Sequence, residues 1–183
     1  MSLELYFLRS SEQKIVTDML YYSQCVDATP KKLSDFPHLE IYSNFYGLTP
    51  KDLGLYAMKN AEVCGAIWYR KLNASHHSNA FLNEDTPVVN IAVKPQFRGE
   101  GVATFMMNQF LQEVATTHKH VSVSVSENAR SISFFEKFGF EVVADSQHKS
   151  YTTNEDTIIM KKDLNMKEIV RPTDGYDPRK WMD

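Results

Sequence analysis

Cysteine is scarce in this sequence. Only Cys25 and Cys64 occur among 183 residues, too few for a disulfide framework and without the paired spacing of a zinc or dithiol site. Excess charge of one sign is also missing: a formal net charge of -3 provides no basic field to attract nucleic acid or an acidic membrane, so neither is expected as a partner. No apolar run approaches the roughly eighteen residues of a membrane span. The opening MSLELYFLRSSEQK has too short an apolar stretch for a signal peptide, and Arg9, Glu12 and Lys14 interrupt it. A soluble protein retained in a reducing cytoplasm is the expectation. His76 and His77 are adjacent in a polar stretch with no third ligand at a recognisable spacing, so no metal is expected.

What is present suits one globular domain. Hydrophobic residues make up 43% and charged residues 23%, close to ordinary usage and enough for a core that needs no cross-links. Leu3 to Arg9 alternates like a strand, and Ser10 or Ser11 offers a cap for a helix through Val16, Met19 and Leu20. Residues 25–50 are broken by Pro30, Pro37, Gly47 and Pro50 and sprinkled with aromatics, which fits either short turns covering a sheet or the wall of a pocket. Leu53 to Met58 and Val63 to Arg70 form a hairpin pattern, followed by a polar loop over residues 73–85.

The middle of the chain is more regular. Val88 to Val93 predicts a strand stopped by Lys94-Pro95, and Gly101 to Thr117 a helix with Ala103, Met107, Phe110 and Val114 on one face. Val121, Val123 and Val125 alternate with Ser122, Ser124 and Ser126, a period of two that sets valines on one face of a strand and hydroxyls on the other. Asn128 to Phe138 predicts a second helix ended by Gly139, and residues 140–144 and 157–161 two closing strands. The fold class is therefore mixed α/β, a mostly antiparallel twisted sheet flanked by helices. Residues 1–164 make the domain and residues 165–183 a tail, docked or flexible, in which Tyr176 and Trp181 would have reason to dock.

Gln96-Phe97-Arg98-Gly99-Glu100-Gly101-Val102-Ala103 joins the central strand to its helix. Two glycines there permit close backbone approach, and amides at a helix N-terminus attract anions, with Arg98 as a forked cation beside them. A pyrophosphate is the natural guest, against the plainer reading of a Gly-rich turn with a solvated arginine. A P-loop is excluded by the missing GxxxxGK, and a dinucleotide fingerprint by Thr104 where a third small residue is needed.

This octet resembles the Gln/Arg-x-x-Gly-x-Gly/Ala signature of the GCN5-related N-acetyltransferase (GNAT) superfamily. Asn128-Ala129-Arg130-Ser131-Ile132-Ser133-Phe134-Phe135-Glu136-Lys137-Phe138-Gly139-Phe140 is similar to the family's Asn-x-x-Ala-x-x-Leu-Tyr-x-Lys-x-Gly-Phe element, in the right order and spacing. The resemblance implies a GNAT-like fold and an N-acetyltransferase that moves an acetyl group from acetyl-CoA to a primary amine of a small molecule or peptide, by direct attack in a ternary complex. It implies that the strand Ile91, Ala92, Val93 pairs with the pantetheine arm and that the amides of Arg98, Gly99, Glu100, Gly101, Val102 and Ala103 hold the pyrophosphate. Asn128, Ser131 and Phe135 would lie along the coenzyme, with a helix cap as the other reading of Asn128. A homodimer is possible in the family.

One departure stands out. Phe135 occupies the position of the family's proton-donating tyrosine and has no proton to give, which leaves open a coenzyme-binding module of weak or no activity. A thiol is acidic enough for its anion to leave unaided, with Ser131, Ser133 and Tyr151 as other donors. A base must deprotonate the amine, and Glu84, Asp85, His120 and Glu127 flank the strands that should border the cleft. For the acceptor, the aromatics from Phe36 to Tyr46 hint only at an apolar or cationic group.

Overall fold

A computed structural model describes residues 3–48 and 52–165 of the chain. The tail expected at residues 165–183, with Tyr176 and Trp181, lies outside the described residues from residue 166 onward. So does Pro50.

Eight strands among the described residues form one sheet. They are β1 (Glu4–Phe7), β2 (Leu53–Lys59), β3 (Glu62–Arg70), β4 (Val88–Val93), β5 (His120–Ser126), β6 (Glu141–Val142), β7 (His148–Lys149) and β8 (Asp156–Asp163). The order is β1-β2-β3-β4-β5-β8-β6, with β7 also on β8. Every pairing is antiparallel except β4 with β5, as the mixed, mostly antiparallel reading requires. The β2–β3 hairpin closes through Asn60 and Ala61, both at positive φ, the twist that a two-residue turn needs.

Helix α1 (Gln13–Ser23) covers one face of the sheet, and α2 (Val102–Val114) and α3 (Ala129–Glu136) cover the other. The period-two rule divides each central strand between two cores. Val88 and Ala92 pack with Val16, Leu20, Leu39 and Trp68, whereas Val89, Val121, Val123 and Val125 pack with Met106, Met107 and Phe110. No helix among the described residues is long and apolar enough to cross a membrane.

Two local expectations are corrected. Neither Ser10 nor Ser11 caps α1; they form a 3-10 turn in which the Glu12 carboxylate accepts the Arg9 N–H at 2.8 Å. The strand expected at residues 140–144 shortens to two residues because Asp145 turns to positive φ, and the Ser146 hydroxyl bonds Val143 O and receives the Ile159 N–H in place of ladder bonds. Pairing then resumes as β7, which was not foreseen, so β6 and β7 are one interrupted edge of the sheet. Residues 25–48 form short 3-10 turns that cover the sheet. They also supply a pocket wall, since Tyr42 is held at its carbonyl by Trp68 Nε1 (2.8 Å) and lines the cleft described next.

Candidate active site

The parallel pair β4/β5 is stitched only at one end. Val88 registers with Ser122, and the Ser122 amide donates to Pro87 O at 3.0 Å; beyond that point the strands part. The direction of the free groups follows from the other edge. Lys94 N–H bonds Cys64 O of β3 at 2.9 Å, and alternation along the strand then turns Asn90 and Ala92 toward β3, and Ile91 and Val93 toward the gap. Of the three expected strand residues, Ala92 therefore has its backbone groups committed to β3.

A cleft of about 190 Å³ occupies the gap. Its walls toward β4 and α3 include Ile91, Ser131 and Phe135, with Val125 from β5. Phe135 is buried edge-on against Phe134 and Phe140, with ring centroids 5.2 and 5.3 Å away. Asn128 acts as a helix cap, its Oδ1 accepting Ser131 N–H at 2.9 Å; that cap sets the start of α3 and so places Ser131 on the cleft.

The glycine loop leads out of the same gap. Gly99 and Gly101 have φ of +84° and +81°, and a Cβ at either would meet no atom within 4 Å. Here glycine answers a backbone requirement and an open approach, not tight packing. Phe105 N–H is the donor that bonds Gly101 O, at 3.0 Å, so the amides ahead of it point out of the helix end, where they favour an anion. Arg98 is less free than expected. Its own amide bonds Pro95 O, its Nε donates to Val93 O at 3.0 Å, and its Nη2 pairs with Asp27 Oδ2 at 3.0 Å. Glu100 pairs with Lys59.

The rest of the lining is mostly uncharged and polar: Gln24, Tyr42, Asn79, Ser124, Ser126, Ser150, Tyr151 and Thr157 among others. Asn90, only 4% exposed, accepts from Gln24 Nε2 at 3.0 Å through Oδ1, and its Nδ2 has no partner. Tyr151 donates to His77 O at 3.2 Å and packs edge-on against His38. Cys25, exposed at one side, also lines the cleft; desolvation, then the Asp27 charge, push its thiol up.

The other sequence candidates fall elsewhere. Asp85 and His120 line a separate recess with Lys71 and His118, at the stitched end of the strands, and His120 Nδ1 is paired with Asp163 at 2.6 Å. Glu84 sits on the exposed loop beside them, and Ser133 is exposed on α3. Glu127, just past β5, accepts from Gln147 Nε2 at 2.8 Å and is not among the cleft residues. Sequence reasoning missed Asn90, Gln24, Ser124 and His148. Asn90 had a signal, a lone amide in the run Val88-Val89-Asn90-Ile91-Ala92-Val93; His148 had none. No cluster of potential metal ligands occurs among the described residues.

The family model for the Acetyltransferase (GNAT) family matches residues 19–140, which include β4, the glycine loop and α2. The chain belongs to the GNAT acetyltransferase family. No curated protein matches the chain's sequence. Among solved structures, an acetyltransferase of the GNAT family from Streptococcus pneumoniae superposes with a TM-score of 0.64 at 13% identity, covering 89% of this chain and 99% of that one. A ribosomal-protein-S18-alanine N-acetyltransferase from Escherichia coli gives 0.62 at 17% identity, over 93% and 99%. A GNAT superfamily phosphinothricin acetyltransferase from Sinorhizobium meliloti, in complex with acetyl-CoA, gives 0.62 at 16%, over 97% of each. At these identities the likeness is one of fold.

Proposed function

We propose that this GNAT member is an acetyl-CoA-dependent N-acetyltransferase that acetylates a primary amine of a small molecule or peptide by direct attack. The observation that carries this reading is the parting of β4 from β5 after Val88, which turns Ile91 and Val93 toward an open polar cleft. Their N–H groups and the Ile91 C=O suit the amide-bearing arm of the coenzyme, the Val93 C=O being held by Arg98 Nε, and the Gly99 to Ala103 amides suit its pyrophosphate. The structural relative from Sinorhizobium meliloti was solved with acetyl-CoA, which agrees with this choice of co-substrate.

The coenzyme supplies a thioester carbonyl; the chain orients it and excludes competing nucleophiles. The Cys25 thiol is pushed up, which disfavours the thiolate that an acyl-enzyme would need. Phe135 has no proton for the leaving sulfur, and Tyr151 has its hydroxyl on His77 O. Ser131, on the cleft wall one helical turn before Phe135, offers a hydroxyl to the thiolate. Phe135 is also the observation that favours the second reading, a coenzyme-binding module without turnover.

The test is thiol release from acetyl-CoA with an amino acid, a polyamine, an aminoglycoside and a peptide with a free N-terminus. Release with any of these, with acetylated amine as product, supports the enzyme. Tight coenzyme binding with no release under any of them supports the binding module, and no coenzyme binding contradicts both.

A further inference from the structure

The acceptor amine arrives protonated and must lose a proton before it can attack. Among the described residues that line the cleft there is no carboxylate. One imidazole reaches it, through a serine. Ser124 Oγ lies 3.1 Å from His148 Nε2, and His148 Nδ1 lies 2.7 Å from Ser146 O. A carbonyl oxygen only accepts, so Nδ1 carries the hydrogen, Nε2 carries the lone pair, and the Ser124 hydroxyl donates to it. The main chain of His148 is held as well, because Thr157 Oγ1 donates to its carbonyl oxygen at 2.9 Å. Register explains the meeting. Ser126, Thr157 and His148 are consecutive cross-strand partners on one face of the sheet, and Ser124 lies two residues along β5 on that face.

Asn90, across the gap on β4, gives this wall an independent mark of a ligand: a buried amide with an unused donor, on the cleft that Ser124 also lines. An acceptor amine carrying a nearby carbonyl or hydroxyl oxygen would satisfy it.

We infer that Ser124 and His148 form the proton-accepting pair for the acceptor amine, with Ser124 touching the amine and His148 holding the proton. This rests on the acetyltransferase reading. One proton leaves the ammonium for Ser124 Oγ as the serine proton passes to His148 Nε2. The freed lone pair forms the N–C bond at the thioester carbonyl, and the C–S bond breaks as the tetrahedral centre collapses. The second amine proton goes with the departing sulfur, and His148 returns its proton to solvent. The charged and titratable groups around His148 are otherwise engaged or neutral. Lys149 pairs with Asp156 at 2.7 Å, Gln147 holds Glu127, the Cys25 thiol is pushed up, and burial raises the Tyr42 hydroxyl. Tyr151 donates to His77 O.

The experiment compares wild type, His148→Gln and Ser124→Ala with two nucleophiles at neutral pH: the alkylamine turned over fastest, and hydroxylamine, which is already neutral and needs no base. Each variant should lose about 100-fold or more in kcat/KM for the alkylamine, together with the acidic limb of its pH profile. The hydroxylamine rate and coenzyme affinity should stay within about threefold of wild type. Nitrogen-15 NMR of the free protein should show His148 as the Nδ1–H tautomer. Equal losses for both nucleophiles, an unchanged acidic limb, or an Nε2–H tautomer overturn the assignment. A wild type that acetylates neither nucleophile overturns the acetyltransferase reading instead.

Discussion

The two halves of the cleft are built in opposite ways. The proposed coenzyme half is mostly one continuous piece of chain: strand β4, the turn through Gly99 and Gly101, and helix α2 follow each other over residues 88–114, with Val125, Ser131 and Phe135 added from β5 and α3. The proposed acceptor half is assembled from distant segments, joined by bonds such as Gln24 to Asn90, Thr152 Oγ1 to Gln24 O at 2.6 Å, and Ser124 to His148. A local unit is held by backbone geometry, so its function survives wide sequence change. An assembled wall depends on individual side chains, and there the acceptor can be changed without disturbing the coenzyme grip.

That contrast can be broken by single substitutions. The largest effect is expected for Gly101→Val, which puts a β-branched residue at φ +81°. Coenzyme affinity should fall by about 100-fold or more by calorimetry, because strain displaces the helix-start amides. Unchanged affinity would mean that the loop does not bind phosphate. Asn90→Leu should raise the acceptor KM by about tenfold while coenzyme affinity holds, since it removes both the unpartnered donor and the bond to Gln24. A loss of coenzyme affinity there would show that the halves are not separable.

Asp27→Asn should act in the other direction. Asp27 competes for the Arg98 guanidinium, so removing its charge should tighten coenzyme binding by up to about fivefold, the range of a half-exposed ion pair, and less at high salt. The smallest effect belongs to the stitched end of the strands. Burial, then Lys71, push the His118 imidazole down, so folding favours its neutral form. This contribution is present above the ordinary histidine range and is lost as pH falls through it. Tm should drop slightly on acidification, less so in His118→Gln, with coenzyme affinity unaffected.

The same contrast governs what could be read from sequence. Val88 to Val93, the glycine octet and the valine-serine alternation each carry their periodicity or turn chemistry within a few residues, so strand, loop and helix were legible. The candidate carboxylates and imidazole beside those strands do not line the cleft. Proximity to a strand in sequence does not say which end of it opens, and Asp85 and His120 flank the stitched end. His148 was invisible because its position depends on a strand interruption at Asp145 and on a register across β8. The hydroxyl face of β5 was foreseen, but not that Ser122 would be spent on Ala80 O at 2.7 Å while Ser124 reaches the cleft.

The central claim is that the free edge of β4 grips the coenzyme arm, and amide hydrogen exchange with and without acetyl-CoA tests it most directly. Slowed exchange at Ile91 and Val93, with little change at Asn90 and Ala92, whose amides already face β3, is the expected result. Saturating coenzyme that leaves the Ile91 and Val93 amides exchanging at their free rate would contradict it.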